Sequence, residues 1–157
     1  MTRRFLAALS AEQIGAVRFP IASDQWRTWL NVHMNFFRHG IMLEDLSDGV
    51  RELALDVLRS TLSVRGFEQA RGIMRVNELI AQLSGQPDCF GEWPYFFSVF
   101  GEPDAERPWG WQLDGHHATD SVLGSRAANA LRCSEARLRC RPWRAREADP
   151  GTTNRPT

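Results

Sequence analysis

The feature that most constrains this chain is a change of composition directly after His117. Before it, Pro108–His117 reads Pro-Trp-Gly-Trp-Gln-Leu-Asp-Gly-His-His, which is dense in aromatic residues and glycine and ends in paired histidines. After it, the sequence is rich in Arg, Ala and Ser, has no clear periodicity and closes on Thr152–Thr157. A site that starts on a strand and loses its continuation is incomplete. We therefore expect a fold that begins here and is not finished.

The balance of acidic and basic residues also changes after His117. Residues 1–117 carry 11 Arg and 15 Asp or Glu, whereas residues 118–157 carry 8 Arg and 4 acidic residues, and the chain has no Lys. Lysine codons are A-rich, so the absence of lysine indicates a GC-rich gene, in which an out-of-frame stretch reads as Arg, Ala, Pro, Ser and Gly. We expect 1–117 to be a partial domain and 118–157 to be an irregular Arg-rich tail that is non-native or frameshifted. The alternative is a functional basic tail that binds anionic partners.

The length and the cysteines indicate one cytoplasmic domain. A chain of 157 residues can bury a core of its own. Its three cysteines form neither a disulfide framework nor a CxxC motif, so a reducing compartment is the default. Met1–Leu9 resembles the start of a signal peptide, but its apolar run is short and Glu12 follows, so we reject that interpretation. No segment approaches membrane-spanning length, and we expect neither a membrane nor a nucleic-acid partner.

Helical signals dominate the first half of the chain. Ser10-Ala11-Glu12-Gln13 has the pattern of a capping box, which predicts short helical turns within 3–18. Ser47 precedes an apolar stripe at helical spacing, and a second stripe follows until Ser84-Gly85-Gln86-Pro87 ends it. Gly66 is expected to end or kink the first of these helices. The pattern predicts a helical hairpin over about 48–83.

Strand signals follow. Tyr95–Phe100 and Trp109–Leu113 are separated by a turn-rich loop, which predicts an antiparallel hairpin. Leu30–Phe36 alternates as a strand would. The expected fold is therefore α+β, with N-terminal helices, including the helical hairpin, packed on a short antiparallel sheet, and with a disordered C-terminal tail. A missing next strand would leave an aromatic-rich edge through which copies could self-associate.

Two groups of motifs carry a family resemblance. The first group is Leu43-Glu44-Asp45-Leu46, Leu58–Ser63, Gly66-Phe67-Glu68, Ile73-Met74 and Glu78, and the second is Tyr95–Pro103, Pro108–Trp111 and Gly115-His116-His117. In order and spacing they resemble the DUF3500 family of uncharacterised bacterial and fungal proteins, over about residues 5–117. The resemblance implies a further strand after the paired histidines and a long C-terminal half. Here Ala118-Thr119-Asp120 stands in place of that strand, so the resemblance implies an N-terminal fragment.

The paired histidines suggest a metal site. Imidazole is a common ligand for divalent metals, but consecutive strand residues face opposite sides, so His116 and His117 share a pocket only if Gly115 forms a bulge. Because a metal site needs three or four ligands, His33 is the further candidate, and His39, Glu78, Asp114 and Cys89 are also available, but none of these residues shows ligand spacing. The alternative is that one histidine is a hydrogen-bonded core residue and the other lies at a sheet edge. The cofactor is unknown, with a divalent metal as the candidate.

Other candidate residues have structural alternatives. Glu78, like His116 and His117, is a catalytic candidate, because it could act as a general base or as a partner to a histidine. It could equally be a surface acid paired with Arg71 or Arg75. Four aromatic residues could stack on a ring or sugar, or could simply pack in the core. They are Trp93, Tyr95, Trp109 and Trp111.

These observations leave the biochemical activity unassigned. The chain contains no Gly-rich phosphate loop, no GxSxG and no HExxH. The first expectation is an uncharacterised domain of the family it resembles, inactive as this chain. One alternative is a metal-dependent hydrolytic or oxidative enzyme that uses His116 or His117 in its full-length form. The other is a small binding module with an aromatic surface and a basic tail.

Overall fold

The computed structural model describes residues 1–27, 39–87, 89–115, 119–124 and 132–134. Within them the helices are α1 (Thr2–Ala7), α2 (Ala11–Val17), α3 (Asp48–Thr61) and α4 (Val64–Ser84), with 3-10 turns at Asp24–Arg27 and Leu43–Asp45. The strands are β1 (Arg18–Phe19), β2 (Ile41–Met42), β3 (Phe96–Phe100), β4 (Trp109–Asp114), β5 (Thr119–Gly124) and β6 (Arg132–Ser134). The predicted extended stretch Leu30–Phe36 lies outside the described residues.

Ser10 caps α2 and Ser63 caps α4 through side-chain hydrogen bonds, whereas Ser47 precedes α3 without one. The Gln13 amide donates to the Ser10 hydroxyl at 3.2 Å, and the Ser10 amide donates to Gln13 Oε1 at 2.9 Å, which confirms the capping box. The two long helices also form, but Gly66 neither ends nor kinks the first. Instead, the Ser63 hydroxyl accepts from the Gly66 amide at 3.0 Å and caps α4. Gly85 ends α4 with φ of +66°, the left-handed conformation that glycine favours.

The described strands form one mixed sheet in the order β1-β3-β4-β5-β6, and β2 also pairs with β3. The predicted hairpin is confirmed, since β3 and β4 pair antiparallel from Phe96 opposite Asp114 to Phe100 opposite Gly110. The other edge of β3 is shared by β2, which is antiparallel, and β1, which is parallel. The expectation of a purely antiparallel sheet was therefore wrong in this detail, although the α+β class holds.

The strand that follows β4 is also present. β5 pairs with β4 along its whole length, from Trp109 opposite Gly124 to Asp114 opposite Thr119, and β6 pairs with β5. The expectation that Ala118-Thr119-Asp120 replaces this strand was wrong, because the composition change hid a six-residue strand. The edge of β4 is covered, so it does not provide the unpaired edge on which expected self-association rested.

The two faces of the sheet have different chemistry, as strand alternation requires. One face forms the core against the helices. There Phe5 packs edge-on against Phe97 with ring centroids 5.4 Å apart, and the Trp111 indole N–H donates to the Thr61 hydroxyl at 3.0 Å. The opposite face carries Ser98 and Gln112 at facing positions.

Among the described residues, no helix has the length and apolar character needed to cross a bilayer.

Candidate functional site

The second face of the sheet buries three polar side chains next to one another. Ser98 and Gln112 are opposite each other on β3 and β4, and Asp114 lies two residues further along β4 on the same face. Only 1%, 1% and 3% of these residues, respectively, is exposed. Burial of polar groups is costly unless they form hydrogen bonds, so a cluster of buried polar side chains needs a structural or functional explanation. Together with His39, these residues are named the polar strip.

A glycine places His39 on this strip. Gly40 has φ of +101°, and a Cβ there would lie 2.4 Å from Ser98 Oγ and 2.5 Å from the Phe97 carbonyl oxygen. Only glycine lets the chain pass this close to β3. The Ser98 hydroxyl then donates to the His39 carbonyl at 3.2 Å. The backbone of His39 is therefore fixed against the centre of the sheet.

Two phenylalanine rings and two polar side chains surround the imidazole. The His39 ring meets Phe19 and Phe100 edge-to-face, with centroids 5.3 and 5.9 Å apart. Burial lowers the pKa of His39, while the Asp114 carboxylate and a hydrogen bond with Gln112 act in the opposite direction, and the pKa remains below its ordinary 6.5. His39 is therefore mainly neutral at pH 7 and has a carboxylate that favours its protonated form.

The three histidines that the sequence predicts as metal ligands do not include His39. His33, His116 and His117 are outside the described residues. β4 ends at Asp114, so the paired histidines follow the buried carboxylate after one intervening residue, Gly115. Within the described ranges, no group of three or more His, Cys, Asp or Glu side chains could hold a metal ion.

Glu78 belongs to a different set of contacts, on α4. Its carboxylate accepts from the Glu92 amide at 3.1 Å and from the Gln82 side chain at 3.0 Å. One residue earlier, the Asn77 side chain donates to the Gly91 carbonyl at 2.7 Å. These bonds hold the loop before β3 on α4. Arg71 forms its ion pair with Glu92, not with Glu78.

The four candidate aromatic residues have structural contacts. Tyr95 and Trp111 are fully buried in the core, and Trp109 packs against it. Trp93 is held by two guanidinium groups, since Arg51 and Arg71 lie 4.7 and 4.6 Å from its ring centre. The arrangement supports the packing interpretation for these rings.

Sequence reasoning did not single out the polar strip. His39 and Asp114 were considered as ligands only because of their type, and Ser98 and Gln112 were given no role. The available signal was the alternation of polar and bulky residues in two aromatic-rich strands, together with the His39-Gly40 pair. That signal does not show which strands are neighbours or where a loop crosses them.

The fold and this site define an α+β domain whose mixed sheet packs against helices on one face and buries polar side chains on the other. A family model described as a protein of unknown function (DUF3500) matches residues 1–130, and the chain belongs to this family. The match confirms the resemblance seen in the sequence and extends past His117. Searches of the curated proteins and of the solved structures found no significant match. The family assignment brings no specific activity with it.

Proposed function

We propose that the polar strip is a small-molecule binding site in which His39 acts as a general base. One observation carries the proposal: Ser98, Gln112 and Asp114 are almost completely buried next to a half-buried histidine on one sheet face. Titratable groups with perturbed pKa values and specific charged neighbours are concentrated at functional sites. A few convergent polar groups beside apolar walls are also typical of ligand sites.

The chemistry of the strip suits proton transfer. A general base must be unprotonated at the working pH, and the lowered pKa of His39 meets that condition near pH 7. When His39 takes a proton, the Asp114 carboxylate stabilises the imidazolium. Phe19 and Phe100 pack edge-to-face against the ring, and their apolar surfaces strengthen this charge interaction by lowering the local dielectric constant. The reaction class we infer is proton abstraction from a bound polar substrate.

Ser98 has a positioning role in this proposal. Its hydroxyl donates to the His39 carbonyl, so it fixes the base and is not directed at the imidazole nitrogens as a nucleophile would be. The Gln112 side chain lies beside the imidazole and favours its protonated form. The polar strip thus contains one base, one carboxylate, one positioning hydroxyl and one neighbouring amide.

A fragment screen by NMR tests the proposal. Isotope-labelled protein is mixed with small polar compounds while the His39 ring and Gln112 side-chain signals are followed. Binders are expected to shift these signals, to lose affinity in His39→Gln and to bind more weakly in Asp114→Asn. Glu78→Gln is the matched control, because Glu78 belongs to the separate contacts on α4. Binders that map to other surfaces, or that bind His39→Gln equally well, would contradict the proposal.

A divalent metal at His116 or His117, with His33 as a further ligand, stays a proposal that rests on the sequence. What supports it is the position of the paired histidines, which follow the buried Asp114 after a single glycine. Metal analysis of the purified protein tests it directly. Stoichiometric metal that is lost in His117→Ala is expected, and metal-free protein or metal retained by that variant would refute it.

We also propose, from composition, that the Arg-rich stretch after the family match, residues 131–157, is non-native. Its support is the absence of lysine and the excess of Arg in this stretch, which begins where the family match ends at residue 130. Reading the other two frames of the gene after the codon for residue 130 tests this proposal. A long continuation bearing His and Asp in one of those frames is expected, and its absence from both would refute the idea.

A further inference from the structure

A surface groove lies on the outer side of Phe19. It has a volume of about 330 Å³ and is lined by Arg18, Phe19, Pro20, Gly101 and Glu102. This volume is at the small end of the range for ligand pockets. Arg18 and Glu102 form an ion pair at the groove, so a guanidinium and a carboxylate stand beside an apolar wall.

Strand pairing fixes the backbone of Phe19, and this residue contacts both the groove and the His39 imidazole. Phe19 pairs with Phe100 in the parallel β1–β3 ladder, and its carbonyl accepts from the Gly101 amide at 2.8 Å. Phe19 is one of the residues that line the groove. Its ring meets the His39 ring at 5.3 Å and the Phe100 ring at 5.4 Å. Of the described residues that line the groove, Phe19 is therefore one whose ring also contacts the imidazole, whereas His39 itself is not among them.

We propose that this groove is the entrance to His39 and that the Phe19 side chain is its gate. The inference rests on the proposed function of the polar strip. Because the strand pairing holds the Phe19 backbone, the gate opens by rotation of the side chain alone. The expected ligand is a small polar molecule, since the opening has limited volume and charged groups of both signs at its rim.

Chemical modification of His39 tests the gate without knowledge of the ligand. Diethyl pyrocarbonate acylates neutral imidazole, and trypsin cleavage after Arg38 and Arg51 separates His39 from the other three histidines. The rate at which His39 is acylated is measured by mass spectrometry at pH 7. Phe19→Leu is expected to raise this rate about tenfold, which corresponds to a decrease of ~1.4 kcal/mol in the free energy needed to expose the imidazole.

Phe67→Leu is the matched control. Phe67 is also a half-buried phenylalanine, but it lies on α4 beside Arg59. Faster modification in Phe19→Leu only, with circular dichroism unchanged, supports the gate. Equal rates in all three proteins, or equal acceleration in both variants, would overturn it. If Phe19→Leu speeds the acylation of His39 but no fragment binds the polar strip, the proposed function alone is refuted. If fragments bind the polar strip but Phe19→Leu does not change the acylation rate, this inference alone is refuted.

Discussion

Gly40→Ala is the substitution that tests most sharply how the polar strip is built. At φ of +101° an alanine is strained, which costs roughly 1–3 kcal/mol. The new methyl group would also lie 2.4 Å from Ser98 Oγ and 2.5 Å from the Phe97 carbonyl oxygen. Overpacking of this kind costs about 1–3 kcal/mol more. We therefore expect the free energy of unfolding to fall by roughly 2–6 kcal/mol.

Urea unfolding followed by circular dichroism measures this change, and two further variants isolate its cause. Gly72→Ala is the matched control, because nothing lies within 4 Å of a Cβ there and the site is inside α4. It should stabilise the protein by about 0.5–1 kcal/mol. In the Ser98→Ala background, Gly40→Ala should still destabilise, since the backbone contact with Phe97 remains. A loss below about 0.5 kcal/mol in Gly40→Ala would refute the reasoning, as that is the size of an ordinary surface substitution.

Three other expectations follow from single contacts. The pKa of His39 is lower in the folded protein than its ordinary 6.5. Its contribution to the free energy of unfolding should therefore be complete above pH 6.5 and be lost as the pH falls toward the folded pKa. In His39→Gln, the free energy of unfolding should depend less on pH over this range. Thr61→Val removes the acceptor of the buried Trp111 indole and should cost about 1–3 kcal/mol by urea unfolding. Trp93→Leu removes two guanidinium–ring contacts and should cost roughly 1–3 kcal/mol in thermal or urea unfolding, whereas an unchanged midpoint would contradict their role.

The elements that sequence reasoning predicted well are those with local causes. The capping box at Ser10 and the apolar stripes of α3 and α4 depend on residues within one or two turns of each other. The β3–β4 hairpin likewise needs only two β-rich runs and a polar connection. The junction at Ser63 was missed because its cap competes with Gly66, the more conspicuous helix breaker.

The elements that were missed depend on distant neighbours. β1 and β2 are two residues long, so their alternation carries no signal, and only the exposed edge of β3 makes them strands. β5 was hidden by the change in composition, although its residues complete the pairing of β4. The polar strip combines a loop histidine with two strands, and its burial depends on packing that no local pattern specifies.

The polar strip also shows why residue type alone was a poor guide to the site. Glu78 was chosen as a candidate base, yet its carboxylate is engaged with the Glu92 amide and the Gln82 side chain. The sequence offers Asp114 only as a ligand candidate without ligand spacing, yet it is the carboxylate that acts on His39. The deciding quantity was burial beside a titratable neighbour, which only the assembled sheet provides.

The most direct test of the account is the pKa of the His39 ring, measured by NMR titration in the unmodified protein and in Asp114→Asn. We expect a pKa below 6.5 that falls further in the variant, because burial lowers it and the Asp114 charge opposes that effect. Gln82→Ala, a change on the distant surface of α4, should leave it unchanged. A His39 pKa at or above 6.5, or one that does not respond to Asp114→Asn, would contradict the central claim that His39 is a half-buried base whose protonated form the Asp114 carboxylate stabilises.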